Sequence, residues 1–330
     1  MAPNGQDISI HFQSELEDRA DVDLVVVVPT FRNPEHLVKT LKTIVSQRPD
    51  VPLATLVVEE GGERPAGADA AKAFFLSRPS DSAVIICRRH GRCHALNAAL
   101  STALELYPNL HAIAVIGDDE VAAPEWLDGL MAVQEAYGAD IVGGPQLPVF
   151  EHPQDQRWKR HPVFAPPYDV TGPVPMLYSA SNILVARAVL EAMPQPFLDP
   201  AVDVVGGCAL DLFQRCKASG FSFAWAADAW VTQTVPGNRA IAAWVRGRSL
   251  RRGRVSAYLA HRRDPTLTGR LKRLGASLAL MTTSLPRGVK LWAETGLAFA
   301  ALHYFHVARG RVTAEFGLVR QEDHKPEPSG

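Results

Sequence analysis

The alternation of strand-like and helix-like segments in the first half of this chain constrains its fold most strongly. Short apolar runs with the length of buried strands lie at 24–28, 53–58, 83–87, 112–116 and 139–143. Segments with helical spacing separate them, at 34–47, 68–76, 93–106 and 126–137. Such alternation is typical of β-α-β units. It predicts an α/β fold with a Rossmann-like, mostly parallel sheet that is flanked by helices on both faces.

The pattern changes after Gly144. Residues 145–175 are rich in proline and aromatic side chains and too long for an ordinary connection, so they predict an excursion beside the substrate. Later strand-like runs at 182–185 and 222–225 flank a helix at 209–218, and helical patterns follow at 239–261, 267–285 and 289–307. The predicted parts are an N-terminal segment (1–21), a main α/β domain (22–235), a basic helical region (236–315) and a disordered tail (316–330).

The charge of the chain is unevenly distributed. The 330 residues are 47% hydrophobic, enough for a sizeable core, and the formal net charge is −1. Between Arg239 and Arg311, however, there are fifteen lysines and arginines against two acidic residues. Such a basic segment suits a phosphate-bearing ligand or an anionic membrane surface. We expect no nucleic-acid partner, because no nucleic-acid-binding motif accompanies the charge.

The sequence lacks several features that would indicate secretion, membrane insertion or a zinc site. Residues 1–20 carry acidic residues and no apolar stretch, so they do not resemble a signal peptide. No apolar run reaches the roughly 18 uncharged residues of a membrane-spanning helix. The cysteines, which lack Cys-x-x-Cys spacing, are Cys87, Cys93, Cys208 and Cys216. We expect them to be reduced in a cytosolic protein and not to bind zinc.

Three consecutive carboxylates follow the strand-like run at 112–116. Asp118, Asp119 and Glu120 would repel one another in a dry interior, but they suit a hard divalent cation, which takes oxygen ligands. Open α/β sheets bind ligands at the carboxyl ends of their strands. The alternative is a polar turn that caps a helix beginning near Pro124, and this stretch alone does not decide between them. The absence of Gly-x-Gly-x-x-Gly after the first strand disfavours a nicotinamide or flavin site.

Several motifs of this chain resemble those of family 2 glycosyltransferases, which have the GT-A fold. The long matches are 27–37 (VVPTFRNPEHL), 91–100 (GRCHALNAAL) and 118–127 (DDEVAAPEWL). Shorter matches follow in the same order: 181–184 (SNIL), 197–200 (FLDP), 206–207 (GG), 211–215 (DLFQR), 235–239 (VPxxR) and 248–253 (RxxRRG). They look most like the bacterial succinoglycan glucosyltransferase subgroup, which builds exopolysaccharide on a lipid carrier. The resemblance covers residues 22–260 approximately.

The resemblance implies an inverting enzyme that binds a nucleotide-diphosphate sugar at the carboxyl edge of the sheet. The residues it assigns to that ligand are Pro29, Thr30, Arg32, Glu59, Arg92, Asn97, Asp118, Arg248, Arg251 and Arg252. Glu59 would accept a hydrogen bond from the base, and the last three arginines would hold the diphosphate. Alternatively, Glu59 lies in a solvated turn, Asn97 lies on a helix surface, and the arginines face solvent or lipid.

The resemblance also implies a divalent metal, Mg²⁺ or Mn²⁺. Asp119 would ligate the ion, with Glu120 as a second ligand, and the ion would stabilise the negative charge of the leaving diphosphate. The first acid of the usual Asp-x-Asp motif aligns with Gly117 in this chain. Glycine has no carboxylate for the ribose contact that the resemblance implies at this position.

The position of the general base departs most from the family pattern. Relatives carry Glu-Asp where this chain has Cys208-Ala209, and that Asp removes the proton of the acceptor hydroxyl. Asp211 and Asp203 are the nearby carboxylates, and each is a candidate for the catalytic base. Asp211 lies two residues further along a helix and therefore points to another face. Gln233 also stands where relatives usually carry Glu.

The C-terminal region contains two apolar segments, 274–285 and 291–307, with arginines and lysines at their edges. This composition predicts helices that lie in a membrane interface with their basic ends near anionic headgroups. The alternatives are a helical pair packed on the main domain, or a contact between two copies of the chain.

The combined expectation is a metal-dependent transferase, peripheral on the cytoplasmic face of the bacterial inner membrane. Its partners would be a nucleotide-sugar donor, a polyprenyl-diphosphate-linked saccharide or glycan acceptor, and the membrane surface. Because of Cys208-Ala209, an inactive nucleotide-sugar-binding homologue or partner subunit is the alternative. A nucleotidyltransferase is a further option, but its Gly-rich loop after the first strand is replaced by residues 29–33 (PTFRN).

Overall fold

The computed structural model describes residues 7–15, 19–78 and 80–316 of the chain. Its strands are β1 (Ile8–Gln13), β2 (Leu24–Thr30), β3 (Leu53–Glu60), β4 (Ser82–Cys87), β5 (Ala112–Val115), β6 (Glu120–Ala122), β7 (Ile141–Gly143), β8 (Gln146–Phe150), β9 (Gly172–Pro173), β10 (Ile183–Ala186), β11 (Phe223–Trp225) and β12 (Val231–Val235). Its α-helices are α1 (Pro34–Ile44), α2 (Ala66–Ser77), α3 (Arg92–Leu106), α4 (Trp126–Tyr137), α5 (Arg187–Ala192), α6 (Cys208–Ala218), α7 (Ala242–Arg263), α8 (Leu267–Thr295) and α9 (His303–Glu315). Most of the tail predicted to be disordered, 317–330, lies outside the described residues.

The main sheet has the strand order β1-β4-β3-β2-β5-β10-β7-β11-β9. Its centre is parallel, because β2 pairs in parallel with both β3 and β5, and β3 pairs in parallel with β4. Helices cover both faces, so these central strands are almost entirely buried. The predicted α/β fold with a mostly parallel sheet is therefore confirmed.

Three strands of this sheet, β1, β9 and β10, run against the parallel direction, and β9 pairs antiparallel with β11 at the far edge. β1 lies in the segment 1–21, for which no strand was predicted, and it pairs antiparallel with β4 at the edge of the sheet. Its side chains are mostly half-buried, because the rest of the protein covers only part of a strand at the edge of a sheet. The strand therefore lacks the continuous apolar run that marks a fully buried strand. β10 runs antiparallel between β5 and β7.

A small second sheet, β6-β12-β8, stands at the carboxyl edge of the main sheet. β6 follows directly after the acidic turn at Asp118 and Asp119, and β12 pairs antiparallel with it. β8 belongs to the excursion 145–175 and pairs in parallel with β12. This sheet therefore connects the acidic turn to the excursion.

The predicted boundary between two C-terminal helices, near residue 286, is wrong. α8 continues through Pro286 and ends at Gly296, which has φ of 71° and caps the helix in the left-handed conformation. Proline removes one backbone N–H donor, but the remaining turns of this long helix persist around it. A short 3-10 helix, Ala298–Leu302, and α9 follow.

α9 packs against both α7 and α8, and glycines permit the close approach. A Cβ at Gly253 of α7 would lie 2.0 Å from the carbonyl oxygen of Val307, and one at Gly310 of α9 would lie 2.1 Å from that of Leu250. The start of α7 packs beside the excursion, and its later residues Val255 and Leu259 join an apolar cluster with the segment Pro200–Val205. The basic region is thus attached to the main domain through α7.

A buried histidine pair connects the excursion to α9. The rings of His161 and His303 lie 5.4 Å apart and nearly perpendicular, and Ser249 Oγ lies 3.0 Å from His303 Nδ1. Burial lowers the pKa of His161 to about 4 and that of His303 to about 3, and nearby Arg252 and His306 add to both effects. Both rings are therefore neutral at neutral pH.

Among the described residues, no helix combines the length and the apolar character needed to cross a bilayer.

Candidate active site

A cavity of about 890 Å³ opens at the carboxyl ends of β2, β3 and β5. The structure brings most of the predicted site residues to its wall: Pro29, Thr30, Arg92, Asp118, Asp119, Asp203, Arg248 and Arg251. These residues come from distant parts of the chain. Their convergence follows from the parallel sheet, because its strands end at one edge.

Asp118 is fixed by the end of β2. Its Oδ2 accepts a hydrogen bond from Thr30 Oγ1 at 2.7 Å and lies 3.4 Å from the backbone N–H of Phe31. Burial raises the pKa of Asp118 to about 6, and the neighbouring charge of Asp119 contributes to that rise. A cation placed between the two carboxylates would offset both effects, so this pair suits a positively charged ligand.

Asp119 faces the cavity and is held by β12. Gln233 Nε2 donates to Asp119 Oδ2 at 3.2 Å. Gln233 occupies the position where relatives carry Glu, and its amide adds no further negative charge to the acidic turn. A hexacoordinate Mg²⁺ or Mn²⁺ needs only one or two carboxylates when phosphate oxygens and water supply the rest. Asp119 with Asp118 fits that requirement.

Gly117 is explained by crowding at the same turn. A Cβ at this position would lie 3.0 Å from Asp119 Oδ1 and 3.3 Å from the carboxyl carbon of Glu120. The acid that relatives carry here would therefore displace the carboxylates of Asp119 and Glu120.

The structure does not bring Glu120 to the cavity. Its carboxylate is fully buried and accepts hydrogen bonds from the N–H of Gly117 at 2.7 Å, from Ser181 Oγ at 2.5 Å and from the Gln146 amide. Burial raises the pKa of Glu120, and the charge of Asp119 raises it further. With its oxygens engaged in the interior, Glu120 anchors the acidic turn and is not placed as a metal ligand.

The two acids at the end of β3 lie in different surroundings. Glu59 is buried, and its carboxylate accepts hydrogen bonds from the N–H groups of Arg32 at 3.0 Å and Ala68 at 2.9 Å. Burial raises the pKa of Glu59, while these backbone donors oppose the rise. Glu60 lines the cavity instead and accepts a hydrogen bond from the N–H of Gly91 at 2.8 Å. The structure thus places Glu60 where Glu59 was predicted.

Asn97 and Arg32 are also placed differently from the prediction. The Asn97 side chain is buried and makes paired hydrogen bonds to the backbone of Leu198, donating at 2.7 Å and accepting at 2.8 Å. It therefore joins α3 to the segment before α6 and does not line the cavity. The Arg32 side chain is exposed, with its guanidinium carbon 5.2 Å from the centre of the Phe31 ring.

A second cavity of about 330 Å³ joins the first. Its wall includes aromatic and proline side chains of the excursion, such as Phe164 and Pro166, together with Trp244 of α7, whose ring stacks on Phe164 at 5.8 Å. Arg239, Arg248 and Arg251 line both cavities, and Arg252 lines the second. The arginines therefore stand at the junction, where a group that spans both cavities would pass. The resemblance includes Arg239 only as the last residue of the motif at 235–239 (VPxxR) and gives it no role.

The expectation that every cysteine is reduced is wrong. Cys93 and Cys208 form a disulfide with their Cα atoms 6.5 Å apart, whereas Cys87 and Cys216 are free and buried. The partners are 115 residues apart in sequence, so their pairing leaves no trace in local spacing. It appears only once the fold has brought the first turns of α3 and α6 together.

The two candidate bases lie in different surroundings. Asp211 pairs with Arg215 at 2.9 Å, one turn along α6, and belongs to the wall of neither cavity. Asp203 lines the first cavity, and its Oδ2 lies 3.3 Å from the N–H of Cys93. Ala209, at the usual base position, lines the second cavity. Asp203 is thus the candidate whose carboxylate is available to a bound ligand.

Comparison with known families and sequences gives a consistent result. The model of the family described as "Glycosyl transferase family 2" matches residues 25–193. The succinoglycan biosynthesis protein ExoM of Rhizobium meliloti (strain 1021) is 26% identical over 235 residues, which covers 70% of this chain and 73% of ExoM.

Solved structures show the same fold at low identity. The mannosyltransferase PcManGT from Pyrobaculum calidifontis, in complex with GDP-Man and Mn²⁺, superposes with a TM-score of 0.54 at 16% identity, covering 91% of this chain and 90% of that one. TarS 1–349 from S. aureus, in complex with UDP, gives a TM-score of 0.50 at 12% identity, covering 90% and 92%. The predicted GT-A fold is thereby confirmed.

Proposed function

This chain belongs to glycosyl transferase family 2, and on that premise we propose that it moves a sugar from a nucleoside-diphosphate donor to a lipid-linked or polysaccharide acceptor. The predicted family, fold class and enzyme class are confirmed. ExoM, named for succinoglycan biosynthesis, supports a role in the synthesis of exopolysaccharide.

The observation that carries the proposal is the pair of joined cavities with charged groups of both signs around them. The larger cavity holds Asp118 and Asp119, and arginines line its junction with the smaller one. Its volume is within the range of about 300–1,000 Å³ that is usual for small-molecule sites. We assign the larger cavity to the nucleotide sugar and the smaller, aromatic one to the acceptor.

The acids and arginines have complementary roles in this assignment. Asp119, assisted by Asp118, would hold Mg²⁺ or Mn²⁺, which supplies charge neutralisation for the leaving diphosphate. The Mn²⁺ that accompanies PcManGT supports a divalent ion here. Arg248 and Arg251 would bind diphosphate oxygens, since guanidinium groups match phosphate geometry.

Asp203 is the proposed general base. An acceptor hydroxyl that attacks the anomeric carbon in line must lose its proton, and it would invert the configuration of that carbon. Asp203 faces the donor cavity, and Gly206, three residues further on, lines both cavities. Asp211 is held by Arg215, so we give it no part in proton transfer.

An exposed apolar stripe on α8 supports contact with a membrane surface. Six large apolar side chains of this helix are exposed: Leu267, Leu271, Leu278, Leu285, Val289 and Trp292. At about 100° per residue they fall within an arc of about 60°. Arg270 lies beside the stripe, about 40° from its edge at the same angular spacing. Such a helix suits the interface of an anionic bilayer, where a polyprenyl-linked acceptor would be found. We place the enzyme on the cytoplasmic face of the inner membrane.

The test is donor turnover by the purified chain with Mn²⁺, a panel of nucleotide sugars and a polyprenyl-diphosphate-linked saccharide. Released nucleoside diphosphate is measured. We expect acceptor-dependent release that is lost in Asp119→Ala and retained in Asp128→Asn, a control at an exposed acid in the first turn of α4. Release that is equal in both variants would contradict the assigned metal site.

One observation favours a second candidate function. The usual base position holds Ala209, and the preceding Cys208 is bonded to Cys93. An inactive nucleotide-sugar-binding homologue or partner subunit would show these features. Nucleotide binding without release from any donor, with or without acceptor, would support that function over catalysis.

A further inference from the structure

The Cys93–Cys208 bond joins the walls of the two cavities. Cys93 is the second residue of α3, and Arg92 before it lines the larger cavity. Cys208 is the first residue of α6, and Ala209 after it lines the smaller cavity. The bond therefore sets the spacing between a wall of the proposed donor site and a wall of the proposed acceptor site.

Asp203 lies between the two bonded cysteines. One carboxylate oxygen is 3.3 Å from the N–H of Cys93, and the other is 3.4 Å from Cys208 Sγ. The contact with α3 is tight, because a Cβ at Gly91 would lie 2.6 Å from Asp203 Oδ2. Asp203 belongs to the segment Pro200–Val205 that leads into α6, so we expect a change in the separation of α3 and α6 to alter its contacts with Gly91 and Cys93.

We propose that Cys93 and Cys208 form a reversible thiol–disulfide switch that controls nucleotide binding in the larger cavity. Intracellular disulfides are usually transient or redox-sensing. Residues next to both cysteines line the cavities, and Cys208 itself is only half-buried, which leaves that side of the bond open to a small thiol. Cys87 and Cys216 are buried away from it and take no part. The proposal rests on the proposed function, since it concerns the donor cavity.

The chemistry is ordinary thiol–disulfide exchange with a low-molecular-weight disulfide such as oxidised glutathione. The thiolate of one cysteine attacks a sulfur of the oxidant and expels a first thiolate, which gives a mixed disulfide. The second cysteine then attacks the protein sulfur of that mixed disulfide and expels a second thiolate. The two protein sulfurs lose two electrons to the oxidant, and the two protons of the protein thiols pass to the two released thiols.

The bonded state should bind nucleotide more tightly. Reduced sulfur atoms cannot remain at bonding distance, so the starts of α3 and α6 must separate or their cysteine side chains must rotate. Arg92 and Asp203 then lose their fixed separation, and the nucleotide has to order them when it binds. Ordering one such side chain weakens an affinity by about two- to tenfold.

The experiment measures the Kd of UDP and GDP, with Mn²⁺, for the full chain by titration calorimetry. One sample is equilibrated with oxidised glutathione and the other with reduced glutathione, and free thiols are counted after denaturation. We expect two free thiols with the lower Kd and four with the higher one. Cys208→Ala should bind weakly in both buffers. Cys216→Ala, a buried cysteine of the same helix, should keep the dependence on redox state.

Three other results would each overturn the proposed switch. Equal Kd values in samples with two and four free thiols would overturn the switch and leave the proposed function standing. A bond that excess reduced glutathione does not open in the folded protein would be structural, which would also overturn the switch. Absence of nucleotide binding in both samples would overturn the proposed function, and the switch with it.

Discussion

Replacing Asn97 with alanine separates a structural role from a role in ligand binding. The Asn97 amide makes two hydrogen bonds to the backbone of Leu198, and the side chain is only 8% exposed. Alanine would leave both the N–H and the C=O of Leu198 without these partners. A buried unsatisfied polar group costs about 1–3 kcal/mol. We therefore expect the free energy of unfolding to fall by about 2–4 kcal/mol, since some water will reach the gap.

The assay is urea denaturation of the wild type and the variant, followed by measurement of the Kd for UDP at a temperature where both are folded. The Kd should change little, because Asn97 does not line the cavity. Asn109→Ala is the matched control, since it removes one hydrogen bond, to the Ala20 carbonyl, at an exposed position. It should lower stability by less than about 1 kcal/mol. An Asn97→Ala protein of normal stability with more than about tenfold weaker nucleotide binding would refute this reasoning.

Three further outcomes are expected. Asp203→Asn should lower kcat by about 10²–10⁴ while Asp211→Asn leaves it nearly unchanged, and equal losses in steady-state turnover would contradict the assignment of the base. Gly117→Ala should raise the Mn²⁺ concentration needed for half-maximal turnover, because its Cβ would displace the Asp119 carboxylate, and an unchanged Mn²⁺ titration would refute the crowding argument. Burial lowers the pKa of His161 to about 4 and that of His303 to about 3, below the ordinary histidine pKa of 6.5. Below pH 6.5 these two histidines therefore bind protons more readily in the unfolded chain than in the folded one. The contribution of these histidines to stability should therefore be full above about pH 6.5 and be lost between about pH 6.5 and 4. If the urea midpoint changes equally between pH 7.5 and 5.0 in the wild type and in His303→Gln, protonation of His303 is excluded as the cause.

The central sheet was predictable from sequence because its strands are buried on both faces. Such strands read as continuous apolar runs, and β2 to β5 were found for that reason. The strands β1, β6 and β8 were missed because they are short or lie at an edge, where burial is incomplete and periodicity is weak. Their pairing is decided by long-range contacts, which a local pattern does not carry.

The site was predictable in its location and less so in its side chains. The ends of β2 and β5 led directly to Thr30, Asp118 and Asp119. Which of two adjacent acids faces the cavity depends on the register of β3, since neighbouring residues of a strand point to opposite faces. A shift of one residue exchanges Glu59 and Glu60.

The Cys93–Cys208 pair and the length of α8 show a different limit. Cysteines separated by 115 residues give no local signal of pairing, and only the assembled fold brings them together. The helix end that was predicted near residue 285 falls next to Pro286, and proline usually breaks a helix. In this chain the helix continues, because α9 packs along it on both sides of the proline: Arg311 contacts Ser277 before it, and Arg287 lies over the Tyr304 ring after it.

The most direct measurement of the central claim is a crystal structure of the chain with Mn²⁺ and a nucleoside diphosphate, with the ion located by its anomalous scattering. The account expects the Mn²⁺ to contact the Asp119 carboxylate and the diphosphate oxygens, with Arg248 or Arg251 bound to the same diphosphate. An ion ligated by Glu120, or a nucleotide bound outside the cavity of Asp118 and Asp119, would contradict it.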